Sequence, residues 1–171
     1  MEFALKNVKY AAFASEESHC FQATLYIDGK PFCRVSNDGH GGCDDYQKIK
    51  GSPDDLYGEI KSINKELGKE ILESDFSLND SGTYQLNNDL EIVVGGLMND
   101  WHRDNEVKRI LRRVSYLDGN ELYQFKSGVG KNTAVYDAIK QSDWWKPEYQ
   151  ILNEMSPADA KAKLTEAGFF G

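Results

Sequence analysis

The chain has 171 residues, with 28 Asp and Glu against 20 Lys and Arg for a net charge of −8; this length suits a single domain able to bury a core unaided. An apolar fraction of 40% and an aromatic fraction of 12% exclude a disordered chain, and no stretch approaches the run of about 18 apolar residues that spans a bilayer. The opening Met1-Glu2-Phe3-Ala4-Leu5-Lys6 carries neither an export signal nor a glycine at position 2, so a cytoplasmic, membrane-free location is expected.

Residues 8–13 read as a short strand and 14–19 as a polar connection, and 20–27 alternate apolar and polar residues. Asp28-Gly29 is a type I′ turn signal, and 32–36 return as the second arm of a hairpin. A two-residue turn places Phe21, Ala23, Leu25 and Ile27 on one core face with Phe32. It also sets Cys20 opposite Asn37 and Cys33 opposite Thr24, so the two sulfurs lie ~13 Å apart, beyond the ~7 Å Cα separation a disulfide tolerates. With Cys43 the cysteines number three, and reduced thiols are expected.

The loop Asn37-Asp38-Gly39-His40-Gly41-Gly42-Cys43 has the composition of backbone that visits positive φ or approaches a neighbour closely. Ser52 as N-cap, Pro53 at the first helical position and Asp55 predict a helix over 53–70, whose inner stripe is Leu56, Ile60, Ile63 and Leu67. Residues 74–82 read as a turn-rich connection and 83–86 as a short strand. Asn88 with Glu91 resembles a capping pair, and Leu90, Val94, Leu97 and Trp101 fit helical spacing. The Gly95-Gly96 pair weakens that reading and leaves a strand over 90–94 as its competitor.

A separate helix over 105–113 leads into a second hairpin, 114–117 with 122–125, around Asp118-Gly119-Asn120. A helix near 132–144, a last strand at 149–152 and a final helix opened by Ser156-Pro157-Ala158-Asp159 and ending near Gly168 complete the pattern. The mixed order predicts one α+β domain over 1–171: an N-terminal antiparallel hairpin or meander with several helices packed on it and a small hairpin near 114–125.

Charge is uneven along the chain. Residues 1–105 hold 19 acids against 10 basic residues, and 106–171 hold 9 against 10. The densest section contains Glu70, Glu73, Asp75, Asp80, Asp89, Glu91, Asp100, Asp104 and Glu106, opposed by Arg103 alone. As a shared field these carboxylates repel nucleic-acid phosphate and attract basic partners; the plainer reading is a solvated surface that keeps the chain soluble.

Catalytic patterns fail on spacing. His19, Cys20, Cys33, His40 and Cys43 lack the two close ligand pairs of a structural zinc site, with only His40 and Cys43 near each other. Cys43 or Cys20 with His40 or His102 carries no signature of a cysteine hydrolase. Ser127-Gly128-Val129-Gly130-Lys131-Asn132 has Phe125 and Asn132 where a phosphate-binding loop needs Gly and Ser or Thr. No cofactor is implied. Two features read instead as binding surfaces. Trp101, His102 and Arg103 precede Lys108, Arg109, Arg112 and Arg113, whose i, i+4 pairs flank a helix that turns Val107, Ile110, Leu111 and Val114 inward. In Trp144-Trp145 the neighbours on a helix end diverge by about 100°, so one ring is expected at the surface beside Tyr149 as a partner anchor.

The block from Phe13-Ala14-Ser15-Glu16-Glu17-Ser18-His19-Cys20-Phe21 through Tyr26-Ile27-Asp28-Gly29-Lys30 to Val35-Ser36-Asn37-Asp38-Gly39-His40-Gly41-Gly42 resembles small proteins carried by bacteriophages and mobile elements, a family that brings no active site. The basic stretch 108–113 and Tyr149-Gln150-Ile151-Leu152-Asn153 match it more loosely. The resemblance implies an inhibitor in the host bacterial cytosol that binds a host protein or a nucleoprotein complex, in the manner of anti-CRISPR or anti-restriction proteins. The sequence thus reads as a non-enzymatic acidic binder contacting its partner through Glu70, Glu73, Asp75, Asp80, Asp100, Asp104, Trp101, Arg109, Arg112, Arg113, Trp144 and Trp145. Direct nucleic-acid binding is disfavoured by the charge. The rival readings are a nucleic-acid accessory factor built on the 103–113 basic helix and a metal protein or enzyme centred on His40 and Cys43.

Overall fold

The structure is a computed structural model describing residues 1–69, 71–74 and 84–170. The fold is α+β with an N-terminal meander. By its contacts the chain gathers into two compact units, Met1–Asn99 and Asp100–Gly171.

The first unit is built on a four-stranded antiparallel meander of β1 (Phe3–Tyr10), β2 (Phe21–Ile27), β3 (Lys30–Asn37) and β4 (Asp45–Gln47), paired in that order. The predicted turn is present, with Asp28 at φ 48° and Gly29 at φ 75°, the double left-handed geometry of type I′. Close to the turn the pairing is as expected, Ile27 with Lys30 and Tyr26 with Pro31. A bulge then shifts the register by one residue, so Cys33 lies opposite Leu25 instead of Thr24, and Phe21 instead of Cys20 faces Asn37. The extra residue lets adjacent Phe32 and Cys33 both be buried. Together with Phe21, Ala23, Leu25 and Val35 they make the buried layer of the sheet, where each fully buried aliphatic side chain contributes about 1.5–3 kcal/mol. Ile27, expected in that layer, is half-buried at the hairpin end. All three cysteines are free thiols, and burial pushes the Cys33 thiol up to about 12.

β1 begins five residues earlier than the sequence suggests and stops at Tyr10. Its alternation is disguised because Asn7, at φ 55°, breaks the register between Lys6 and Lys9. Residues Ala12–Ala14 form a 3₁₀ turn that replaces the end of the strand expected over 8–13, and Phe13 is 94% exposed. Helix α1 (Leu56–Leu67) starts three residues later than predicted. Asp55 is its N-cap, accepting from Gly58 N at 3.0 Å, whereas the Ser52 hydroxyl accepts from Ile49 N in the preceding turn. Leu56, Ile60 and Ile63 are buried as the spacing predicted, with Leu67 half-buried. β5 (Ile71–Ser74) pairs antiparallel with β6 (Tyr84–Asn87). The expected connection over 74–82 lies outside the described residues apart from Ser74, which is in β5.

Helix, not strand, prevails over 90–97. α2 (Leu90–Ile110) is one continuous helix where the sequence suggested two segments. Its cap is Asp89, which accepts from Ile92 N at 2.9 Å, in place of Asn88. Burial falls on Leu90, Val94 and Met98, so Met98 takes the place assigned to Leu97. Among the described residues no helix is long and apolar enough to cross a membrane.

The second unit takes in the C-terminal part of α2, β7 (Ser115–Asp118), β8 (Glu121–Gln124), α3 (Thr133–Lys140), β9 (Gln150–Ile151) and α4 (Pro157–Glu166). Its sheet runs β8-β7-β9, with Gly119-Asn120 as the two-residue turn. One face packs Leu117 and Leu152 with Val107 and Ile110 of α2 and Ala160 and Leu164 of α4. The other packs Val114 and Ile151 with Tyr136 and Ile139 of α3. α2 ends three residues short of the predicted 113, and side chains take carbonyls at and just beyond its end. Ser115 Oγ donates to Ile110 O at 2.9 Å, and Asn153 Nδ2 donates to the carbonyls of Leu111 and Arg113, both at 3.0 Å. Asn132 caps α3, which stops at Lys140 instead of 144. Ser156 caps α4 as predicted, its Oγ accepting from Asp159 N at 3.1 Å, and Gly168 follows the helix at φ 83°.

Candidate functional site

Within the first unit the pairing of Phe21 with Asn37 brings the connection preceding β2 beside the glycine loop following β3. The two segments are stitched at Gly39 and Asn37. The Gly39 carbonyl accepts from the amides of Glu16, Glu17 and Ser18 at 3.0, 2.9 and 3.2 Å. Gly39 sits at φ 90°, and a Cβ there would lie 2.0 Å from the Ala14 carbonyl oxygen, so no other residue fits. The Asn37 Oδ1 accepts from Ser18 Oγ at 2.8 Å and from Gly39 N at 2.9 Å. Its Nδ2 donates to Gly42 O at 2.9 Å and Asp44 Oδ1 at 3.0 Å. Every polar atom of the Asn37 amide is therefore used to hold the loop.

Between these segments and the N-terminal part of α2 opens a cleft of about 660 Å³. Among the described residues its lining includes four carboxylates, Glu16 and Glu17 from the connection, Asp44 from the loop and Glu91 from α2, and no lysine or arginine. Tyr10, His19, Phe21 and Met98 also line it, giving apolar surface beside the acids. The His19 ring stands edge-on to Tyr10 at 5.7 Å, and its Nε2 lies 2.9 Å from Asn99 Oδ1. His40 Nδ1 is 3.4 Å from Glu16 Oε2. Asp44 is the half-buried member. Desolvation raises its carboxyl above the usual range, the Asn37 hydrogen bond lowers it, and the charges of Glu91 and Asp89 raise it further. Such a cleft repels anions and suits a cation with an apolar stem, the form of a lysine or arginine side chain.

The sequence-predicted site residues are scattered. Glu70, Asp75 and Asp80 lie outside the described residues, and Glu73 is in β5. Asp100 and Asp104 are both held by Lys161, whose Nζ donates to Asp104 Oδ1 at 2.7 Å and Asp100 Oδ1 at 3.2 Å. Glu106 receives Arg109, with Nε to Oε2 at 2.9 Å, and that hydrogen bond lowers the Glu106 carboxyl. Asp89 is a helix cap. The acids of α2 are therefore largely neutralised within the second unit, and Glu91 alone among the described acids of the 70–106 section lines the cleft. Arg112 and Arg113 are exposed but follow the end of α2, so the i, i+4 pairs do not form along one helix. Trp101 is half-buried on α2.

Trp144 is the exposed tryptophan, at 47%, and it follows α3 instead of ending it. Trp145 is the ring beside Tyr149, 5.2 Å away and perpendicular to it. Sequence reading missed Glu16, Glu17 and Asp44 as site residues because they are remote from the dense acidic section. The available signal was the hairpin register, which sets the 14–19 connection against the 37–45 loop. Searches of family models, curated proteins and solved structures find no match to this chain.

Proposed function

We propose that the protein is a non-enzymatic binding protein whose acidic cleft takes a basic segment of a nucleic-acid-handling partner, as an inhibitor of a host or defence complex does. The observation that carries this reading is the cleft itself, four carboxylates around about 660 Å³ with no lysine or arginine among the described residues of the lining. The phage-like N-terminal block supplies the inhibitor context. The alternative of a nucleic-acid accessory factor has to overcome the repulsion between phosphate and a net charge of −8. The test is affinity capture from a bacterial host with the wild type and with a Glu16→Lys, Glu17→Lys, Glu91→Lys variant. A basic partner should be retained at low salt, weaken steeply as salt rises, and bind the variant at least about tenfold more weakly. Capture indifferent to the triple reversal would falsify the reading.

A further inference from the structure

The aromatic face of the second unit holds a different kind of site. On β7 and β8 the pair Tyr116 and Tyr123 lie opposite each other, and their rings stack at 5.2 Å with 14° between planes. Phe125, two residues beyond Tyr123, projects from the same face, with its amide bonded to Val114 O at 2.9 Å. Its ring lies 5.9 Å from Tyr116 and 6.0 Å from Trp144, and Trp144 lies 5.9 Å from Tyr116. Tyr116, Tyr123, Phe125 and Trp144 together line an open pocket of about 280 Å³, with Gln124 as the further lining residue among the described residues. Tyr123 and Trp144 are 40% and 47% exposed, so both rings offer surface to a ligand.

We infer that this pocket binds a trimethylammonium group carried on an aliphatic stem. Four aromatic rings line one open space, and aromatic rings attract a cation placed against them. Among the described residues the lining has no carboxylate, and the Gln124 amide nitrogen already donates to Ile110 O and Ser115 Oγ, both at 3.1 Å. A primary ammonium or guanidinium would lose hydration there and meet no carboxylate of the described lining in exchange. A quaternary ammonium has no N–H to satisfy and loses little.

Two further observations favour a cation over a neutral apolar ligand. The Tyr123 hydroxyl donates to Glu121, which places a carboxylate just behind the pocket wall. At the other edge of the same ring cluster the Lys146 ammonium already rests 5.4 Å from the Tyr149 ring centroid. The stem has its own path. Phe125 and Trp144 also bound an apolar groove of about 440 Å³ that runs along α3 past Ala134 and Ala138. The ligand chemistry is therefore shared by free choline-type cations and by trimethyl-lysine in a peptide, and the groove gives the longer stem of trimethyl-lysine more to cover. This site is independent of the acidic cleft.

The test uses the full chain, with Trp fluorescence and the Trp144 indole NMR signal as readouts. The probes are choline, a short peptide containing trimethyl-lysine, the same peptide with unmodified lysine, and 3,3-dimethylbutanol as the neutral isostere of choline. Saturable binding of the trimethylated probes is expected, about tenfold tighter than either control. A trimethyl-lysine peptide binding more tightly than choline assigns the site to a modified protein segment, and the reverse assigns it to a small cation; either supports the inference. Tyr123→Phe should retain binding and Tyr123→Leu, on the exposed edge strand, should weaken it several-fold with an unchanged circular dichroism spectrum. Equal affinity for choline and its neutral isostere, or no saturation by any trimethylated probe, would overturn the assignment.

Discussion

Asp44 links the stability of the cleft to its charge. Its folded-state carboxyl titrates above the ordinary range because desolvation and the neighbouring Glu91 and Asp89 outweigh the Asn37 hydrogen bond. Folding therefore favours the protonated form. The stabilisation is present below the ordinary carboxylate range and is lost as pH rises through the raised value. At neutral pH the ionised group thus costs stability, and Asp44→Asn, which can still accept from Asn37 Nδ2, should raise Tm by roughly 1–3 °C. That gain should vanish below about pH 3.5, where the wild-type carboxyl is itself neutral. The same variant should bind a basic peptide more weakly, so calorimetry and a binding titration should move in opposite directions. Asn153 shows the opposite economy of a polar side chain. It donates to two carbonyls beyond α2 and accepts from Ser115 N at 2.8 Å, satisfying three backbone groups that no periodicity in the sequence reveals.

At the scale of elements, local signals read well where the chemistry is local. The I′ turn, the inner stripe of α1 and the Ser156 cap of α4 were all legible, because each depends on residues within a few positions of one another. The bulge at Phe32 was not, since it arises from two adjacent apolar residues both finding room in the core. The long helix α2 was obscured by Gly95-Gly96, which read as a break. Burial of Leu90, Val94 and Met98 overrides the weak propensity of the glycine pair. A Cβ added at Gly95 or Gly96 would meet nothing within 4 Å. Gly96→Ala should therefore stabilise the protein by about 0.5–1 kcal/mol, seen as a rise in Tm of roughly 1–4 °C. A fall in Tm would show that the pair has a conformational role the helix does not display. The candidate site was less legible than the fold. Its carboxylates come from three separate segments that only the strand register and α2 assemble.

Across the whole molecule the net charge belongs to one unit. Residues 1–99 carry 17 acids against 9 basic residues, whereas 100–171 balance 11 against 11. The strongly acidic unit holds the cleft, and the neutral unit holds the aromatic pocket. Two cations of different chemistry should therefore be sorted between them. A lysine-rich peptide, attracted by charge and weakened by salt, should perturb backbone amides near 16–18 and 39–44. A trimethylammonium probe should perturb the Tyr116 to Trp144 region with little dependence on salt, and neither ligand should displace the other. Competition between the two in an NMR titration would mean that a single surface accounts for both.

One carbonyl serving three amides gives the loop around Gly39 a common latch. When the Gly39 peptide tips away, Glu16, Glu17 and Ser18 lose their partner in one event, so deuterium uptake at these positions should proceed in step with a single opening rate. A ligand seated in the cleft should slow all three by the same factor, making their shared exchange rate a direct gauge of occupancy.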